Sequence, residues 1–356
     1  MRIVSLVGNR PQFVKAAPLC IALRAQGDEV LVHSGQHYDP ELADLFFDEL
    51  GIPSPDHALE VGPGTPVHQI ATIMERFEGV LRDEEPDAVL VYGDTTTTLA
   101  GALTAAKCGV PLAHVEAGLR SFDRSMPEEQ NRVVTDHLSD VLLCPTRQAV
   151  ENLAAEGLTR GVHLVGDVMF DASRMFAPLA EQRNAAAAHG LQPGDYLLVT
   201  IHRAAATDTP EALDAMVEVL SSLDAPAIFP VHPRTRGKLQ AAGRWDALAH
   251  VPGLVLAAPA GYLDFTSLLM GARAVVTDSG GVQKEAYFHG IPCITLRDTT
   301  EWVETVEGGF NTLTGMHAGA VRAALANVAM PAERPPYYGD GHAADAVARA
   351  VVAELG

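Results

Sequence analysis

Short β-rich runs alternate with longer Ala/Leu-rich segments along this chain, and that alternation limits the fold more than any other feature. Runs such as Ile3 to Val7, Ala88 to Tyr92 and Ala274 to Thr277 are short and largely apolar. Separated by helix-length segments, they predict βα units that build a parallel sheet. Glu29 to His33, Leu112 to Val115, Val141 to Cys144 and His163 to Val165 complete a first set. A polar, Ala-rich stretch from Arg174 to Gly194 then reads as a helix and connector. After it the alternation restarts with Tyr196 to Thr200, Ala227 to Val231, Leu254 to Ala257, Ala274 to Thr277 and Cys293 to Leu296. At about 150 residues per domain, 356 residues make two. The expectation is an α/β protein of two doubly wound, Rossmann-like domains facing a central cleft. The first is 1–172, with a last helix within 343–356 packing back on it; the second is 173–342 and binds nucleotide.

Charge and cysteine content exclude several classes of function. Lys plus Arg number 25 against 45 Asp plus Glu, a net charge of −20, whereas a phosphate-tracking protein needs a basic stripe to displace counterions. Nucleic acid and anionic membranes are therefore not expected partners. No stretch reaches the roughly eighteen apolar residues of a spanning helix, and Met1-Arg2 leads straight into a strand-like run, so a cytoplasmic location is expected. Cys20, Cys108, Cys144 and Cys293 are far apart and form no Cys-x-x-Cys pair, which points to neither zinc nor a disulfide framework.

In such sheets ligands bind beyond the carboxyl ends of the strands, so the strand exits carry the chemistry. The first exit is Gly8-Asn9-Arg10-Pro11-Gln12, followed by Lys15; it lacks Gly-x-Gly-x-x-Gly but places two cations at a helix start. The Tyr92 exit runs into Gly93-Asp94-Thr95, where Asp94 also suits a helix N-cap. His114-Val115-Glu116-Ala117-Gly118-Leu119-Arg120 adds a second carboxylate, and Met126-Pro127-Glu128-Glu129-Gln130-Asn131-Arg132 a third just after a helix-starting proline. Glu129 also reads as first-turn dipole decoration. Converging carboxylates can have their pKa values pushed apart into an acid and a base.

The second half supplies cations and an anion cradle. Ile201-His202-Arg203 and Val231-His232-Pro233-Arg234 each end a strand with His near Arg. Asp278-Ser279-Gly280-Gly281 opens a helix with small residues, exposing backbone N–H groups to an anion, unless the glycines serve backbone geometry alone. Glu285, one turn on, can accept from ribose hydroxyls. Acids on one side with cations and a diphosphate cradle on the other suit a nucleoside diphosphate attached to an uncharged reacting group. Glycosyl transfer, elimination and epimerisation all remain open at this point.

Over nearly its whole length the chain resembles the non-hydrolysing UDP-N-acetylglucosamine 2-epimerase family. The motifs are Gly8-Asn9-Arg10-Pro11, Tyr92-Gly93-Asp94-Thr95-Thr96-Thr97, His114-Val115-Glu116-Ala117-Gly118-Leu119-Arg120, Met126-Pro127-Glu128-Glu129 and Asp278-Ser279-Gly280-Gly281. The resemblance implies a GT-B fold, a homodimer, and reversible inversion at C2 of a UDP-sugar without NAD, metal or other cofactor. It implies catalytic roles for Asp94, Glu116, Glu128 and His202, and nucleotide contacts from Arg10, His232, Phe265, Ser279, Gly280, Gly281 and Glu285, with Lys15 and Arg132 as further substrate-binding cations. The family interconverts UDP-GlcNAc and UDP-ManNAc, a precursor for surface polysaccharide. A glycosyltransferase would need an acceptor and no cluster of acids; a sugar-nucleotide sensor is the remaining rival.

The chain departs from the family pattern in two places. Family members continue the His-Arg turn with a Glu-Asn pair, where this chain has Ala205-Ala206. That glutamate belongs to a second, activating UDP-GlcNAc site in many bacterial members, for which Gln36, His37 and Arg203 are retained. Gln283-Lys284-Glu285-Ala286 and Thr300-Glu301-Trp302-Val303-Glu304 are similar to the branch that includes epimerases of UDP-2,3-diacetamido-2,3-dideoxy-glucuronic acid.

Overall fold

A computed structural model describes residues 1–35 and 51–356, with Arg10 placed by its backbone only. Gln36 and His37 thus lie outside the described residues. The chain divides into two compact units, Met1–Met175 with Pro336–Gly356, and Phe176–Pro335.

The first unit holds β1 (Arg2–Val7), β2 (Asp28–His33), β3 (His57–Ala58), β4 (Ala88–Tyr92), β5 (Leu112–Val115), β6 (Val141–Cys144) and β7 (Val162–Leu164). All pair in parallel, in the order β3-β2-β1-β4-β5-β6-β7. Helices cover the sheet, so β4 is buried at every residue and reads as one apolar run. The Pro66–Glu84 helix starts at a Thr65 cap, buries Ile73, Phe77, Val80 and Leu81 at helical spacing, and stops where Glu85 turns left-handed. The Ala343–Leu355 helix packs on the Arg10–Arg24 helix. Its start is fixed by the Asp171 carboxylate, which accepts from Ala344 N at 2.7 Å.

The second unit holds β8 (Leu197–Thr200), β9 (Ala227–Pro230), β10 (Leu254–Ala257), β11 (Ala274–Thr277), β12 (Cys293–Thr295) and β13 (Asn311–Leu313). These are again all parallel, in the order β10-β9-β8-β11-β12-β13. One face is packed by Met216, Val219, Leu239 and Val321. The other is packed by Tyr196, Leu268, Leu269 and Ala286. The fold class is therefore the expected one, two doubly wound α/β units of the kind that make up GT-B proteins. Among the described residues no helix is long and apolar enough to cross a membrane.

Two edge strands, β3 and β13, escaped the sequence reading because two or three residues carry no legible alternation. The helix expected from Arg174 instead begins at Val168, where the Asp167 carboxylate accepts from Met169 N at 2.8 Å.

The strand orders place the candidate residues. In each sheet the winding reverses between a central pair, β1/β4 in the first and β8/β11 in the second. Ligands bind at such switch points. The exits there are Gly8 and Gly93-Asp94 in one unit, His202-Arg203 and Asp278-Ser279 in the other.

Candidate active site

At the first switch point a close approach of backbone is built in. A Cβ on Gly8 would lie 2.1 Å from Thr97 Oγ1 and 2.4 Å from Ser34 Oγ, so only glycine lets the β1 exit abut the Thr96–Cys108 helix. Gln12, 1 % exposed, stitches the two exits together: Oε1 accepts from Gly8 N at 2.8 Å, and Nε2 donates to Tyr92 O at 2.7 Å and Thr95 Oγ1 at 3.0 Å.

Asp94 does not cap the helix that follows it. Thr95 does so in a reciprocal capping box with Thr98, which frees the Asp94 carboxylate to pair with Arg132. Asn131 Nδ2 also donates to the Asp94 carbonyl at 2.8 Å, so the Pro127–Leu138 helix is fastened to the Asp94 turn. Glu116 is buried and pairs with Lys15. Its φ of 69° is left-handed, a conformation uncommon outside glycine and concentrated at functional sites. The pair stands over the neighbouring turn: a Cβ on Gly93 would be 3.2 Å from Glu116 Oε2 and 3.5 Å from Lys15 Nζ.

The two glutamates after Pro127 differ sharply. Glu128 is exposed in the first helical turn and forms no ion pair among the described residues. Glu129 is more than dipole decoration: buried, it accepts from Ser121 N at 2.9 Å, Phe122 N at 3.0 Å and Arg132 at 3.0 Å, holding the loop before the helix. The unit thus presents two carboxylates tied to cations and one that faces solvent.

A polar cluster built on the buried His114, Asp136 and Arg120 was missed by sequence reasoning. His114 Nδ1 lies 2.7 Å from Asp136 Oδ1, and His114 Nε2 lies 2.7 Å from the Gly93 carbonyl oxygen. Asp136 Oδ2 accepts from Gly118 N at 3.1 Å and from the Arg120 guanidinium at 2.7 Å. Arg120 continues bidentately to Glu156, at 2.6 and 2.8 Å. Burial works against the Asp136 charge, but the His114 hydrogen bond and Arg120 hold its carboxyl below the usual range. Burial and then Asp136 push the nearby Cys144 thiol up to about 12.

In the second unit Asp278, 1 % exposed, accepts from the backbone N–H groups of His202 at 2.9 Å and Arg203 at 2.8 Å. It thereby fixes the turn after β8 against the start of the Gly280–His289 helix. No side chain caps that helix. Neither glycine there has a positive φ. A Cβ on Gly281 would meet nothing within 4 Å, and one on Gly280 would make ordinary contacts with Trp302, Arg203 and Glu301 at 3.6 to 3.8 Å. Glycine in a helix is unfavourable relative to alanine, and nothing within the unit requires it at either position.

Around that helix head the structure gathers several predicted residues. The His202 and His232 rings are 6.2 Å apart. His232 caps the Pro233–Ala241 helix, its Nδ1 accepting from Arg234 N at 3.2 Å. The two strand-end arginines separate: Arg234 is bound to Asp208 at 2.6 and 2.8 Å, whereas Arg203 Nη2 would lie 3.7 Å from a Cβ on Gly280. Glu285 is buried within the helix, and burial followed by its charge pushes the Tyr262 hydroxyl up. Phe265 is half-buried against the core beside it. Ala206 is buried in the core while Ala205 is exposed, so only Ala205 faces outward where the family carries glutamate. The stretches similar to the diacetamido-glucuronate branch bind each other, Thr300 Oγ1 donating to Gln283 Oε1 at 2.6 Å and Lys284 Nζ lying 4.4 Å from the Trp302 ring centroid.

Comparison with known proteins agrees with these motifs. The sequence profile of the UDP-N-acetylglucosamine 2-epimerase family matches residues 21–352. A "UDP-N-acetylglucosamine 2-epimerase homolog" of Methanococcus maripaludis is 47% identical over 88% of this chain and 89% of its own. The UDP-2,3-diacetamido-2,3-dideoxy-D-glucuronate 2-epimerase of Pseudomonas aeruginosa is 46% identical over 88% of each. The crystal structure of Methanocaldococcus jannaschii UDP-GlcNAc 2-epimerase in complex with UDP-GlcNAc and UDP superposes with a TM-score of 0.92, 38% identity, and coverage of 99% of this chain and 100% of that one. The chain belongs to the UDP-N-acetylglucosamine 2-epimerase family, and it is an isomerase of UDP-sugars acting at C2.

Proposed function

We propose that the chain interconverts UDP-GlcNAc and UDP-ManNAc without net hydrolysis, by elimination of UDP and its return. The C2 proton is not α to a carbonyl, so its removal alone would leave an unstabilised carbanion. Anti elimination avoids this: a base takes the proton from C2, the C1–O bond breaks, and UDP leaves with the electron pair as a glycal forms. UDP then returns to C1 while a proton is delivered to the other face of C2.

Attack on two faces calls for two proton-handling groups in different settings. Asp94, held by Arg132, and Glu128, open to solvent, are that pair; Glu116, held by Lys15, orients them. The second unit holds the nucleotide, the diphosphate on the N–H groups of the Ser279-Gly280-Gly281 helix head beside His202 and His232. Glu285 takes the ribose hydroxyls and Phe265 lies beside the nucleoside. The observation that carries the reading is the occurrence of both sets at topological switch points, cation-paired acids in one unit and an uncapped Gly-Gly helix head in the other. The enzyme works as a cytoplasmic homodimer supplying surface polysaccharide, with no cofactor.

A second reading, epimerisation of UDP-2,3-diacetamido-2,3-dideoxy-glucuronic acid, is favoured by the 46% identity to the Pseudomonas aeruginosa enzyme. One experiment tests both: each UDP-sugar is incubated with the enzyme in D2O and followed by NMR. Epimerisation with deuterium appearing at C2 is expected for UDP-GlcNAc. Turnover of the diacetamido sugar alone would transfer the assignment to the second reading, and absence of turnover on both would defeat the two together.

A further inference from the structure

The buried cluster under the acids has a charge requirement. Arg120, the cation beside Asp136, is shared with Glu156, whose side chain is 28 % exposed and 3.9 Å from His137, and both His114 and Asp136 side chains are 0 % exposed. A fully buried carboxylate without a balancing cation is strongly unfavourable. The neighbours of His114 are both acceptors, a carboxylate oxygen and a carbonyl oxygen, each at 2.7 Å, and an acceptor satisfies only a nitrogen that carries a proton. We propose that His114 is a buried imidazolium that positions the catalytic acids, its two N–H groups tying the Gly93 turn to Asp136.

Three elements meet there. The Gly93 carbonyl precedes Asp94 directly, and Asp136 receives Gly118 N two residues past Glu116, so the imidazolium and its carboxylate fix both acid-bearing turns to the Pro127–Leu138 helix. That helix also carries Glu128. His114 touches no substrate in this scheme; it acts through the backbone. The proposal rests on the reading of Asp94, Glu116 and Glu128 as the proton-handling groups, and its consequence is a loss of turnover with retention of UDP binding.

The test has a part that does not depend on activity. With 15N-histidine in the unmodified enzyme at pH 7.5, the signal lost in His114→Gln should show both ring nitrogens in the protonated range. The widely split pair of a neutral tautomer would overturn the proposal. His114→Gln should lower kcat by about 100-fold, the scale of a misplacement near 1 Å, with UDP affinity by calorimetry changed less than about threefold. Asp136→Asn should lower kcat similarly, and the double variant should be little worse than either single one, because coupled residues are not additive. Near-normal turnover in a folded His114→Gln enzyme, or additive losses, would also overturn it. If the acids themselves have been misassigned, Asp94→Asn keeps its turnover while the doubly protonated ring signal persists, which separates the two failures.

Discussion

Glu116 holds a left-handed backbone that costs roughly 1 to 2 kcal/mol relative to glycine, and it spends its carboxylate on Lys15. Asp94 is also committed to a cation, but Arg132 has a second partner in Glu129 at 3.0 Å. Removing the Asp94 charge therefore strands no buried arginine. Asp94→Asn should lower turnover by about 100-fold or more, as loss of general acid–base help does, while the melting temperature changes little. Glu128→Gln should do the same with even less effect on stability, since its side chain faces solvent. Steady-state epimerisation rates beside thermal melts check both; a variant with near-parent turnover removes that residue from the proton-handling pair.

At the scale of elements, the proposed diphosphate site makes the Gly280–His289 helix a trade between stability and ligand access. Gly281→Ala adds a methyl group where nothing lies within 4 Å and removes the conformational freedom of glycine. It should stabilise the second unit by a few tenths to about 1 kcal/mol. UDP affinity should fall in the same protein, a combination that calorimetry and melting together detect; tighter or unchanged UDP binding would show that the helix head receives no diphosphate. The same elements show what sequence makes legible. Strand exits were readable because a motif such as Asp278-Ser279-Gly280-Gly281 joins a strand end to a helix start within four residues. Whether Asp94 or Thr95 caps the next helix was not, because it depends on where β4 releases the chain, which Gln12, 80 residues away, helps to fix. His114 and Asp136 stayed hidden for a related reason. Their partnership spans 22 residues, and a histidine inside an apolar strand looks the same in sequence whether it is packed or charged.

At the scale of the whole molecule, the second unit carries a group that responds to acid. Burial, then the nearby Arg334, lowers His289 to about 4, against about 6.5 when unfolded. Between these values the unfolded chain binds the extra proton, so stability from this group is complete above pH 6.5 and is lost as pH falls towards 4, by as much as about 3 kcal/mol. Both tryptophans, Trp245 and Trp302, lie in the Phe176–Pro335 unit, so their fluorescence in urea reports it selectively. The midpoint should drop between pH 7 and 4.5, and His289→Gln should flatten that drop; an equal drop in the variant would assign the acid sensitivity elsewhere. The division of the chain has a consequence for its assembly. The second unit is one unbroken segment, whereas the first is made of two, and its helix Ala343–Leu355 emerges during synthesis only after the whole of the second unit. The Phe176–Pro335 segment is thus an insertion whose sequence is complete on the ribosome while its host still lacks the helix that packs on Arg10–Arg24. The points where it leaves and rejoins lie side by side, with Arg174 donating to the Asp340 carbonyl at 2.5 Å. Evolution or an experimenter can therefore exchange the inserted segment through a single pair of neighbouring junctions.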